Sequence, residues 1–171
     1  MIMMDIADKL AARSSIERRH TRIELVKQGD AAVPALITAL SDERLQVKQE
    51  AIKTLEAIGD ETATNALVGA LQNQDFGIRW MAAEALTNLG TVGLKAVLEA
   101  LVKDDGLSWL RQGAHHVLHF YRGDLNEPLE RLLDALDNND TTTPMTWAAG
   151  VALQSLTAPS EHIADNPETS Q

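Results

Sequence analysis

Leu25, Leu55, Leu86, Leu118 and Leu153 follow one another at intervals of 30, 31, 32 and 35 residues, and four residues before each stands Thr21, Ala51, Ala82, Ala114 or Ala149. Val47, Ile78, Leu110 and Met145 open the later segments, and Gly29, Gly59 and Gly90 close the first three. A unit that recurs about every 31 residues restricts the fold more than any composition does. Each copy must take the same conformation, and neighbouring copies must pack together to bury what a lone copy leaves exposed. The expectation is a stack of about five units.

Within a unit the apolar residues fall at helical spacing. Val47, Ala51, Leu55 and Ile58, or Ile78, Ala82, Leu86 and Leu89, form a stripe on one helix face, and strand alternation is absent. A shorter run stands upstream, such as Ala35, Leu36, Ala39 and Leu40 or Ala66, Leu67, Ala70 and Leu71, set off by polar residues. One unit is therefore two antiparallel helices. The spacing predicts ten helices in five pairs: 3–12 with 15–28, 31–40 with 43–58, 61–71 with 75–89, 92–102 with 107–121, and 125–137 with 143–156. Gly59 and Gly90 stand where a left-handed residue ends a helix, a conformation that costs least without a β-carbon. Pro34, Pro128 and Pro144 fall in first turns, where a missing N–H gives up no helical hydrogen bond, and Ser14 with Glu17 fits a capping box. The segment TAPSEHIADNPETSQ is polar and aperiodic, so 1–156 is expected to be the repeat domain and 157–171 a disordered acidic tail.

Composition removes whole classes of function. With 25 Asp and Glu against 15 Lys and Arg, the net charge of −10 denies the long-range attraction that a nucleic-acid or anionic-membrane binder relies on. The absence of cysteine excludes disulfides, thiolate metal sites, iron–sulfur clusters and a cysteine nucleophile. MIMMDIADKL has an acid at position 5 and no apolar run of signal-peptide length, and no later stretch is long enough for a bilayer, so a cytoplasmic location is expected. No glycine-rich elbow, phosphate loop or paired-carboxylate motif assembles a nucleophile, a base and an orienting group. The expectation is a protein that is not an enzyme and that uses no cofactor and no metal.

The pattern R-x-x-A-x-x-x-L-x-x-L-G, present as Arg79, Ala82, Leu86, Leu89 and Gly90, resembles the HEAT repeat, and the short period resembles the HEAT-like repeat of the phycobilin lyase type. The resemblance covers residues 15–156 and implies an all-α fold, an α-solenoid of about five stacked antiparallel helix pairs. An acidic or amide residue precedes a basic one by six positions in Asp42 and Lys48, Asn73 and Arg79, and Asp105 and Arg111. These pairs resemble the family's ladder, which implies that the cation of one repeat bonds the loop acceptor of a neighbour. The last unit departs from it, with Asp140 and Thr146 at the equivalent positions, as terminal repeats do.

The resemblance also implies that second helices line a concave face. With Ala82 at the centre of the buried stripe, Trp80, Glu84 and Thr87 lie about 140 to 160 degrees away and should face outward. Repeat equivalence then assembles a candidate groove from Gln49 and Lys53, Trp80 and Glu84, Gln112, His116 and His119, and Trp147. Trp80 and Trp147 occupy the same repeat position, and all six aromatics lie between Phe76 and Trp147. Large aromatics supply contact area at small entropic cost, though tryptophans also seal repeat junctions. His115 and His119 have the i, i+4 spacing of a two-imidazole metal site, but no HExxH context exists, and a third ligand would have to come from a neighbouring unit, with Glu84 the candidate. The expected function is a non-enzymatic scaffold that binds a protein partner in the groove and forms a weak homodimer through its exposed end repeats. The alternative that the resemblance brings is a bilin-binding, lyase-like or chromophore-chaperone protein, with His116 or His119 and Glu84 bonding the tetrapyrrole. HEAT-like DNA glycosylases are a third class, and the acidic charge speaks against it.

Overall fold

The computed structural model describes residues 5–103, 108–122, 125–138 and 144–157. Among them are ten α-helices and no strand: α1 (Ile6–Leu10), α2 (Ser15–Gln28), α3 (Val33–Ala39), α4 (Leu45–Ile58), α5 (Thr64–Ala70), α6 (Phe76–Asn88), α7 (Thr91–Val102), α8 (Ser108–Phe120), α9 (Glu127–Asp137) and α10 (Met145–Thr157). They are the five expected pairs of an all-α solenoid. Asp105 and Asp140, and the tail beyond residue 157, lie outside the described residues.

Local chemistry sets the helix ends. Ser14 Oγ accepts the amide of Glu17 at 3.4 Å, Asp75 Oδ1 that of Ile78 at 3.0 Å and Asn126 Oδ1 that of Leu129 at 3.2 Å. Each supplies an acceptor to a first-turn N–H that the helix itself leaves unbonded. Gly59, at φ 72° and ψ 21°, closes α4 in the left-handed conformation. Gly90 differs from expectation: at φ 63° and ψ −136° it is the hinge that turns α6 into α7, a region open only to glycine. The first helices of the second and third units start late, behind 3-10 turns at Gly29–Ala32 and Glu61–Ala63.

The core is the repeated stripe. Ala51, Ala82, Ala114 and Ala149 are all 0% exposed, and Leu25, Leu55, Leu86 and Leu118 are buried with them. Small residues at these positions let helices approach closely. Gly93 is the extreme case: a β-carbon there would stand 1.9 Å from the carbonyl oxygen of Leu86, so α7 crosses α6 backbone to backbone.

The second helices stack in order, α2 on α4, α4 on α6 and α6 on α8. The last pair breaks the order. A fifth translational copy would put α10 on α8 and α9 on α7; instead α10 packs on α7 and α9 on α8. The hairpin has exchanged rows. Its sequence makes this possible. Ala148, Ala149 and Ala152 give α10 a small-residue face, and a β-carbon on Gly150 would lie just 4.0 Å from Val102 of α7. On the other row, Asp137 of α9 pairs with His115 at 2.5 Å and with Arg122, tying α9 to the end of α8. Leu153, the fifth of the marker leucines, is accordingly only half-buried.

Candidate functional site

Four of the expected groove residues come together between α6 and α8. The indole of Trp80 and the imidazole of His116 stack with centroids 3.9 Å apart at 49°. Gln112 and His119, one turn to either side of His116 on α8, border the same open cleft of about 400 Å³. Trp80 stays 42% exposed, so it lines this wall rather than sealing a junction. Glu84 is exposed one turn along α6 from Trp80. Burial pushes the His116 imidazole below its ordinary 6.5, and the carboxylate of Glu84 only partly offsets this. His116 is therefore a neutral, stacking ring near pH 7.

The remaining groove residues are placed differently. Gln49 is half-buried and Lys53 exposed on α4, one repeat away, and Lys53 Nζ lies 3.6 Å from Glu50. Thr87, expected outward, is buried with its hydroxyl donating to the carbonyl of Ala83 at 2.9 Å. Trp147 does not join Trp80. Exchange of rows in the last hairpin carries it to the outer face of α9 and α10, where it is 64% exposed.

The ladder residues also act otherwise than expected. Arg79 donates to the carbonyls of Asn73 at 2.9 Å and Gln74 at 3.0 Å, clamping the loop of its own repeat, and then reaches Gln112 of the next repeat at 3.0 Å. Arg18 does the same in the first unit, bonding the carbonyls of Ala12 and Arg13 and lying 3.5 Å from Glu50. The loop acceptor is thus the backbone, and the Asn73 side chain instead accepts the amide of Asp75. Asp42 pairs with Arg44 rather than Lys48, at 2.8 and 2.9 Å, which holds its carboxyl down at about 2.

Two features, one at the wall and one at the first junction, escaped the repeat argument. Phe76 and Trp109 flank the Arg79 guanidinium at 5.6 and 5.4 Å, so an engaged cation is held between two exposed rings. Phe76 precedes Trp80 by four residues, and that spacing was a usable signal. Glu50, 3% exposed on α4, is met by Arg22, Arg18, Lys53 and the amide of Gln46. It is a buried carboxylate held between the first and second repeats, a structural knot and not a reactive group.

Among the described residues no three His, Asp or Glu side chains are placed to hold a metal ion, and no helix is long and apolar enough to cross a membrane. Stacked helix pairs with an exposed aromatic wall define an α-solenoid. The family model for HEAT repeats matches residues 7–87 and again 33–119, and the chain belongs to the HEAT repeat family. It is similar in structure to a chain of the complex of CpcE and CpcF of phycocyanin lyase from Nostoc sp. PCC7120, with a TM-score of 0.55 and 23% identity over 87% of this chain and 95% of that one. The likeness to HEAT-like repeats of the phycobilin lyase type is thus one of fold. No curated protein matches the chain.

Proposed function

We propose that the chain is a non-enzymatic scaffold that holds a protein partner against the α6–α8 wall. The observation that carries this reading is the exposed Trp80 stacked on a neutral His116, a rigid apolar surface at the edge of a cleft. Polar groups beside it are occupied in holding the repeats together, as Arg79 and Gln112 are. The solved relative is a complex of two proteins, which favours a protein as partner. A cytoplasmic location and weak self-association through an exposed end of the solenoid belong to the same reading. Nucleic acid and anionic membrane are disfavoured by the net charge of −10.

A pulldown from the source organism tests the wall. The Trp80→Ala protein should lose the partner that the unaltered chain and Trp147→Ala both retain, because Trp147 lies on another face. Recovery of the same partner by Trp80→Ala sinks the assignment.

A bilin-binding, lyase-like role is the second reading, favoured by the similarity to a chain of a phycocyanin lyase complex. In that case His116 or His119 and Glu84 bond the nitrogens or propionates of the tetrapyrrole. A visible-absorbance titration with bilin decides it: a spectral shift that Trp80→Ala removes supports this reading, and an unchanged spectrum counts against it.

A further inference from the structure

We propose that His115 and His119 of α8 bind one divalent transition-metal ion, zinc or copper, through their two imidazoles, with Asp137 of α9 as the carboxylate that positions His115. The inference goes beyond the scaffold reading and holds whether or not a partner occupies the wall.

The two histidines stand one turn apart on the same helix face, and their rings lie with centroids 5.8 Å apart at 42°. That distance decides whether one ion can reach both. A metal–nitrogen bond of about 2.0–2.1 Å puts each ring centre about 3.2 Å from the ion, so two rings on a shared ion have centres at most about 6.4 Å apart. The observed separation falls inside this limit, and closing it by about 0.6 Å gives a tetrahedral angle at the metal. Small rotations of solvated side chains supply such a shift: the His115 side chain is 38% exposed, and His119 is exposed too. His116, next to His115 in sequence, is held away from the pair by its stack on Trp80.

The second observation is the state of His115. Its Nε2 lies 2.5 Å from Asp137 Oδ1, and a carboxylate can only accept, so Nε2 carries the proton and donates it. The neutral ring then has its lone pair on Nδ1, free for a metal. A carboxylate behind a ligating histidine fixes the tautomer and raises the basicity of the ligand nitrogen. Arg122 holds Asp137 by its other oxygen. Glu84, the third ligand expected from the sequence, does not complete the set, since among the described residues no three His, Asp or Glu side chains converge. Two protein ligands leave the remaining positions to solvent, so the ion is exchangeable. Imidazole nitrogen suits zinc and copper, whereas magnesium and calcium take oxygen ligands. The net charge of −10 favours the approach of a cation.

Calorimetric titration of the full chain with zinc chloride, together with electron paramagnetic resonance of the copper(II) form, tests this. One equivalent should bind, and the copper spectrum should show two imidazole nitrogens. His115→Ala and His119→Ala should each weaken binding at least about tenfold, and His116→Ala should leave it unchanged. Asp137→Ala should weaken binding about tenfold while both copper nitrogens persist, and Asp137→Asn, which keeps an oxygen acceptor, should recover part of the loss. The changes at 115, 119 and 137 alter exposed or partly exposed side chains and should keep the helical circular dichroism of the parent. Binding that survives both His115→Ala and His119→Ala places the ion elsewhere on the chain and overturns the site. A nitrogen lost in His116→Ala but kept in His115→Ala overturns the pairing in favour of His116 with His119. A parent chain that binds no zinc up to about 1 mM overturns the proposal and leaves the protein-binding wall standing.

Discussion

The middle of this molecule and its last hairpin were built from the same repeat and obey it to different degrees. From α3 to α8 each second helix lies on the preceding one, the marker leucines are buried, and Arg79 clamps its own loop while reaching into the next repeat. In α9 and α10 the stripe is kept, with Ala149 sealed like Ala51 and Ala82, yet the helices sit in each other's rows. A helix stripe specifies that a face will be buried. It does not specify the helix that buries it, and where the clamp is lost, as at Thr146, the hairpin is free to dock by whichever face fits more closely.

If that contrast is right, equivalent changes in the two regions should have unequal effects. The largest is expected from the leucines. Leu86→Ala empties a fully buried site and should lower unfolding free energy by about 2–5 kcal/mol, whereas Leu153→Ala at a half-buried site should lower it by about 1–2 kcal/mol. Equal losses by chemical denaturation would erase the distinction. The carboxylates come next. Glu50→Ala strands two arginines at the first junction and should lower stability by about 2–3 kcal/mol, while Asp137→Asn, at the exposed last junction, should leave the denaturation midpoint nearly unchanged.

Glycines sharpen the comparison because they reverse its sign. Gly93→Ala drives a β-carbon into the Leu86 carbonyl and should destabilise by at least about 1–3 kcal/mol. Gly150→Ala meets Val102 at ordinary contact distance within a helix and should stabilise by about 0.5–1 kcal/mol. Paired melting curves check both, and destabilisation by Gly150→Ala would mean that α10 lies closer to α7 than described.

The smallest effect is a difference in pH response. His116 has its folded value lowered below 6.5 by burial, so the unfolded chain binds the proton more readily, and this contribution is full above 6.5 and lost as pH falls below it. Asp137 has its folded value lowered below 3.8, chiefly by His115, so its contribution persists above that value and is lost only as pH falls further. The α6–α8 junction should therefore loosen in mild acid before the α8–α9 junction does. Histidine and amide signals followed by NMR from pH 7 to pH 3 read the order, and His116→Phe should remove the first step alone.

Much of the fold was legible in the sequence because its signal is local and repeated. The intervals between Leu25, Leu55, Leu86 and Leu118 predict the paired helices, and Trp80, Gln112, His116 and His119 border one cleft because they lie on neighbouring regular repeats. Trp147 was grouped with them on the assumption of a fifth regular copy, which the 35-residue interval to Leu153 already strained. The Arg79 clamp was misassigned in its acceptor because a backbone carbonyl has no signature in sequence. Glu50 went unnoticed because its partners Arg18 and Arg22 lie on another helix.

The sequence by itself determined the helices, their pairing and the residues each must bury, since these follow from spacing along one chain. Tertiary structure alone decided that α9 and α10 exchange rows, that Trp80 finds His116 while Trp147 is left on an outer face, and that Glu50 is neutralised from a neighbouring helix. Those outcomes depend on how closely two surfaces from distant parts of the chain can approach. Close packing discriminates among arrangements that hydrophobic periodicity leaves equivalent.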